Sequence, residues 1–175
     1  MQTAFAAVQA YESTWRRGWL YRLWAALLGR PRDLLDLRAV AAGRATRARH
    51  TVGVQTVPIR QIRGSEGRRH DFDSGFHPLQ KHTGARWRAI AQAWLDGADM
   101  PPIDLIRVGD SYFVRDGHHR VSVARALGQQ EIDATVTVWQ VDGPPPPARP
   151  SIARRLRGGR TAPACEPIGD CAGGA

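Results

Sequence analysis

Asp116-Gly117-His118-His119-Arg120 places a carboxylate, two imidazoles and a guanidinium within five residues, between the short run Ser111-Tyr112-Phe113-Val114 and residues 121–127. The first run has the aromatic and β-branched content of a strand; the second reads as a helix stopped by Gly128. The polar residues therefore sit at a helix N-terminus. There the unpaired backbone N–H groups and the positive end of the helix dipole favour an anion, and Gly117 lets one approach the backbone closely. Arg120 offers a planar fork of donors suited to phosphate or carboxylate. His118 and His119 offer further donors or a proton relay whose charge changes near neutral pH. Asp116 is repelled by an anion unless it binds a metal, takes a substrate proton or pairs with an arginine, so its position hints at chemistry. The same spacing also fits a plainer arrangement, in which Asp116 caps the helix, Arg120 is its ion-pair partner and the histidines lie on the surface.

A second concentration of polar side chains lies in residues 64–78, with Ser65, Glu66, Arg68, Arg69, His70, Asp71, Asp73, Gly75 and His77. That is more chemistry than a simple connection needs. The spacing matches no standard cation loop, and hard cations prefer oxygen ligands, so no metal site is assigned. Arg68 or Arg69 is expected to pair with Asp71 or Asp73 and order the loop. The elements that must position these residues follow from periodicity. Residues 52–62 read as a β-branched strand. Thr83 caps a helix with Trp87, Ile90, Ala91, Trp94 and Leu95 on one face, ending at Asp96-Gly97. Pro101-Pro102 precedes a strand over residues 103–108, Gly109-Asp110 makes a hairpin turn into residues 111–114, and residues 132–139 alternate as a half-buried strand. The order is β-α-β-β-α-β, an α+β domain over residues 51–142.

The flanks differ from this core. Residues 1–50 read as a helical amphipathic extension: Tyr11, Trp15, Trp19, Leu23 and Leu27 recur at every fourth position, with Arg16, Arg17 and Arg22 between them. Docking on the core, self-association and adsorption to a membrane surface all fit that stripe. Pro31 is placed to open a second helix through Leu34, Leu35, Leu37 and Val40, stopped by Gly43, and residues 44–50 form a basic connector. Residues 143–175, rich in Pro, Gly and Arg, cannot bury enough apolar surface to offset their ordering entropy and are expected to be disordered. Cys165 and Cys171 lie in that tail, with no metal-site spacing and no assigned role.

Of 25 basic residues only Lys81 is a lysine, so the formal net charge of +9 reflects an arginine bias as much as a polyanion partner. Residues 1–56 hold 9 basic against 3 acidic side chains, residues 57–142 hold 11 against 11, and residues 143–175 hold 5 against 2. The core is neutral, and any DNA contact belongs to the flanks. No segment has the pattern of a secretory signal or reaches the roughly 18 apolar residues of a membrane span, so the expected location is cytoplasmic.

The Asp116–Arg120 motif, followed by Ala124 and Gly128 and preceded by Pro101-Pro102-Ile103, resembles the ParB/sulfiredoxin superfamily over roughly residues 56–139. The resemblance implies a nucleotide held by its phosphates at the start of this helix: CTP in partition ParB proteins, ATP in sulfiredoxins, ADP in a free-serine kinase branch. Sulfiredoxins carry a catalytic cysteine in a Gly-Cys-His-Arg motif, and here Gly117-His118-His119-Arg120 lacks that nucleophile. Partition proteins continue into a helix-turn-helix reader and a dimerisation domain, whereas 33 residues follow Asp142 here. The Asp-Gly-His-Thr-Arg-like motif of the free-serine kinases is the closest match of the three. It implies Asp116 as base for a substrate hydroxyl or as an Mg²⁺ ligand, and Gly117, His118, His119 and Arg120 around the phosphates. Glu66, chosen by loop position, is the candidate second acid needed for charge management in phosphoryl transfer. The resulting expectation is a ParB-like protein that binds ATP, ADP or CTP with Mg²⁺, extending to hydrolysis or transfer to a small hydroxyl-bearing acceptor. The alternative is a non-enzymatic ParB-like module that touches DNA through its basic flanks and self-associates through the N-terminal helix.

Overall fold

A long helix opens the chain and lies across two later ones. The computed structural model describes residues 2–29, 33–42, 44–68 and 70–143. Its elements are α1 (Gln2–Leu27), β1 (Leu35–Asp36), α2 (Leu37–Ala41), β2 (Thr46–Pro58), β3 (Ile62–Ser65), α3 (Gly84–Leu95), β4 (Ile103–Val108), β5 (Ser111–Asp116), α4 (His118–Ala126) and β6 (Glu131–Val141). The strands form one sheet in the order β1-β3-β5-β4-β6-β2. β1, β3 and β5 run parallel, β4 runs antiparallel to β5 and parallel to β6, and β2 closes one edge antiparallel to β6. The architecture is α+β, as the residue pattern implies, and the run from β4 through the Gly109-Asp110 turn to β6 lies close to where periodicity puts it.

Three local expectations need correction. The β-branched run over residues 52–62 is not one strand. Pro58 lacks the N–H to continue a ladder, the chain makes a 3₁₀ turn at Ile59–Gln61, and β3 departs to the other half of the sheet to pair with β5. The basic connector over residues 44–50 is largely strand, because β2 begins at Thr46 and pairs with β6 along its whole length; the boundary at residue 50 therefore falls inside β2. The second helix shrinks to α2, since Leu35 and Asp36 pair with Gly64 and Ser65, and the Asp36 carboxylate accepts the Arg38 N–H at 2.9 Å as a cap. Pro31, Gly43, Arg69 and residues 144–175, including both cysteines, lie outside the described residues.

One sheet face carries Leu105, Val114 and Val136, buried with Val121 and Ala124 of α4 and with Phe72 and Phe76; the other carries Ile106 and Phe113, covered by Leu37 of α2. α1 packs on α3 and α4 around Ala7, Trp87, Ala91 and Val123, and the buried Trp87 indole donates to Ser122 Oγ at 2.8 Å. The face α1 uses is not the aromatic stripe. A four-residue step advances a helix by about 400°, so an every-fourth row drifts by about 40° per step and swings roughly 160° between Tyr11 and Leu27. Tyr11 accordingly packs on Trp87 at 5.4 Å between ring centres, while Leu27 is 71% exposed. The buried residues are the small ones, Ala7, Thr14, Gly18 and Ala25. A Cβ on Gly18 would sit 2.7 Å from Cβ of His77, so only glycine permits this approach to the 70–80 loop.

Candidate functional site

β5 delivers Asp116 to the edge of a cleft, and Gly117 turns the chain into α4. Gly117 has φ +96°, and a Cβ there would lie 2.4 Å from Cγ2 of Ile103. A left-handed backbone and the Ile103 contact each require glycine here. The first helical bond is Val121 N–H to Gly117 O at 3.0 Å, so the N–H groups of residues 118–120 precede the α4 ladder.

Arg120 and Asp116 form the ion pair of the plainer arrangement, but Asp116 does not cap α4, whose N-cap is Gly117 with no side-chain cap bond. Arg120 Nη2 donates to Asp116 Oδ2 at 2.9 Å, and Nη1 donates to the carbonyls of Pro101 and of Pro102, the latter at 3.0 Å. The Pro101-Pro102 pair therefore contributes acceptors that aim the guanidinium. The Arg120 side chain is 15% exposed and that of Asp116 is 69% exposed, so the arginine is held from below and the carboxylate faces solvent.

The histidines are buried rather than superficial. Ser65 Oγ lies 2.7 Å from His118 Nε2 and also accepts the N–H groups of Gly67 at 3.1 Å and Arg68 at 2.9 Å. With its lone pairs taken by two amides, the Ser65 hydroxyl donates its proton to Nε2, which makes His118 a neutral imidazole protonated on Nδ1. Burial pushes its pKa from the ordinary 6.5 down to about 4, with the positive charge of Arg68 adding to the shift and Asp116 opposing it. The ring stacks on Phe72 at 6.0 Å, and His119 meets the same ring edge-on at 5.2 Å. The pKa of His119 is lowered as well, first by burial and then by Arg86 and Arg68, and its Nδ1 is buried without a hydrogen-bond partner. Neither imidazole supplies positive charge at neutral pH.

That charge comes from elsewhere. Arg68, Arg86, His118, His119, Arg120 and Asp116 line a cleft of about 50 Å³ over the start of α4. Arg86 stands in the first turn of α3, and no local signal marks it, because it lies thirty residues before the motif. Glu66 does not join this group. Its carboxylate accepts Arg115 Nε at 2.9 Å, and the alternation of β5 sends Arg115 to the sheet face opposite Asp116. Asp73 and Asp71 in the polar loop order the loop itself. Asp73, 1% exposed, accepts the N–H groups of Gly75 and His77 at 2.8 and 2.9 Å and faces His77 Nδ1 at 3.0 Å, while Arg68 sits 3.7 Å from Asp71. Among the described residues, no three His, Cys, Asp or Glu side chains gather as a metal site.

Larger clefts lie beside it and at the opposite end of the sheet. The first, of about 280 Å³, shares Arg120 and is walled by Trp94, Met100, Pro101, Ile132 and Asp133. The second, of about 510 Å³, lies at the far end of the sheet and is lined by Arg44, Arg47, Arg107 and Trp139, with the Arg49 guanidinium 3.9 Å from the centre of the Trp139 ring. None of the described helices is long and apolar enough to cross a membrane.

No family model matches the sequence, and no curated protein matches it. Among solved structures, sulfiredoxin from Arabidopsis thaliana is similar at 19% identity with a TM-score of 0.37, over 47% of this chain and 82% of that one.

Proposed function

We propose that the chain binds a nucleoside di- or triphosphate, with one phosphate in the cleft at the start of α4 and the nucleoside in the cleft beyond Arg120. The observation that carries this reading is the convergence of Arg68 and Arg86 on the first turn of α4, beside the buried and unpartnered Nδ1 of His119. Size divides the ligand between the two spaces. The cleft at the start of α4, near 50 Å³, suits a phosphate-sized group better than a nucleoside. The adjoining space near 280 Å³, with the Trp94 ring and the Asp133 carboxylate in its wall, has room for a base or ribose. The resemblance of residues 116–120 to the nucleotide-binding turn of the ParB/sulfiredoxin superfamily supports the same reading.

Arg120 gives the site a means of response. A phosphate entering the cleft competes with Asp116 for Nη2, and exchange of that donor frees the Asp116 carboxylate to hold Mg²⁺ or to accept a proton from an acceptor hydroxyl. In transfer, the acceptor oxygen bonds to the terminal phosphorus, its proton passes to Asp116, and the bond to the bridging oxygen breaks. Glu66, tied to Arg115, has no part in this step; Arg68 and Arg86 offset the developing charge.

Calorimetric titration with CTP, ATP and ADP, each with and without Mg²⁺, tests the proposal. Saturable binding to at least one nucleotide, weakened about tenfold or more in Arg86→Ala, is expected; no saturable heat with any of them sinks it. Asp116→Asn is expected to keep binding and lose turnover, and unchanged turnover removes Asp116 from the chemistry.

A second reading has its own observation, the arginine-lined cleft beside β2. Arg44 and Arg107 around Trp139, with Arg47 held by Asp142 at the rim, suit a nucleic-acid backbone, which matches a DNA contact through the basic N-terminal flank. DNA affinity that falls steeply with salt and is lost in Arg47→Gln/Arg49→Gln favours it; affinity indifferent to these residues removes it.

A further inference from the structure

α1 has two apolar faces, and the fold uses one. Ala7, Thr14, Gly18 and Ala25 are buried against the body. On the opposite side Trp19, Leu20, Leu23, Trp24, Leu27 and Leu28 form a continuous face in which Trp19 is 62% and Leu27 71% exposed. Basic residues stand at its N-terminal end and on one flank. Arg16, Arg17 and Arg22 lie along the helix, Arg30 and Arg32 follow in the sequence, and no acidic residue occurs between Glu12 and Asp33.

We propose that this face is a docking surface for an anionic lipid bilayer, which holds the protein peripherally with α1 lying in the plane of the interface. Two tryptophans among leucines suit the boundary between headgroups and acyl chains, where an amphipathic ring is favoured. Arginines at the margin of the face keep their guanidinium groups in water beside lipid phosphates while their methylenes cover apolar surface. α1, at 26 residues, is long enough to span a bilayer but not apolar enough to cross one, so it rests on the surface. Charge selects this occupant over a second copy of the chain. Two such faces packed together would bring two arginine rims into contact, with no carboxylate in either segment to pair with them, whereas anionic headgroups supply the missing countercharge.

Sedimentation of the full chain with phosphatidylglycerol/phosphatidylcholine vesicles, compared with pure phosphatidylcholine vesicles, tests the proposal. Binding to the anionic vesicles is expected, reduced by high salt. Each arginine near the surface is worth about fivefold in partitioning, so Arg16→Gln/Arg17→Gln/Arg22→Gln should lower binding by roughly 100-fold. Trp19→Ser/Trp24→Ser should lower it too, with circular dichroism and thermal midpoint unchanged because both rings are exposed. No enrichment on anionic vesicles overturns the proposal. So does a stable homodimer in solution that Leu23→Glu converts to monomer while vesicle binding is absent in both forms.

Discussion

α4 buries six of its nine residues and α1 buries four of twenty-six, so the first helix has almost no side chain free to vary and the second has a whole face available. The difference lies in what each helix is packed into. α4 is wedged between the sheet and α3, its start fixed by Ile103 against Gly117, by Ser65 against His118 and by the Pro101 and Pro102 carbonyls against Arg120. α1 touches the body on one side only, through residues small enough to let two helices approach. The two helices teach that large apolar residues at helical spacing do not by themselves identify the packed face. In α1 the fully buried residues are small, Tyr11 and Tyr21 reach the body from the margins of that face, and the tryptophans and leucines from Trp19 onward turn outward.

The contrast can be broken or sharpened by substitution. Gly117→Val has the largest expected effect, because the side chain meets both a left-handed backbone and Ile103; a loss of about 3 kcal/mol or more should appear in urea unfolding. Tolerance of valine there would mean that the α4 junction is looser than its contacts imply. Acid comes next. His118 has its pKa near 4 in the folded chain against 6.5 when unfolded, so the unfolded chain takes up the proton first as pH falls. Its contribution is complete above about pH 6.5 and is lost as pH drops towards 4, about 3 kcal/mol in all. Stability measured across that window should fall steeply in the native chain and more gently in His118→Gln; identical slopes would place the acid sensitivity elsewhere. Gly18→Val tests the packed face of α1, where overpacking against His77 should remove about 1–3 kcal/mol. Smallest is the outer face: Trp24→Ser or Leu27→Ser should move stability by less than about 0.5 kcal/mol, read from the same urea curves. A large loss there would show that the face already has a partner in solution.

The periodicity of residues 103–139 is local information, and the strand, turn, helix and final strand it implies are present within a few residues. The Asp116–Arg120 turn was legible as a helix start with anion-binding potential. Its sequence left open whether Arg120 reaches for a ligand or for Asp116, because both lie within the same arm's length; the Pro101 and Pro102 carbonyls bias it to Asp116. Arg86 was not legible as part of the cleft, and Glu66 was drawn into it wrongly, because contacts between distant segments leave no mark in the spacing of either.

Residue pattern alone suffices for the elements whose hydrogen bonds close within a few residues: α3, the β4–β5 hairpin, α4 and the alternation of β6. That α1 packs through Ala7, Thr14, Gly18 and Ala25 rather than along its aromatic stripe belongs to the tertiary structure. Tertiary structure alone decided that residues 46–65 split between opposite halves of the sheet, that β1 exists, and that His118 is neutral. Strand pairing depends on which partner the rest of the chain brings alongside. An imidazole's charge depends on how much water the surrounding chain excludes, and neither quantity is a property of neighbouring residues.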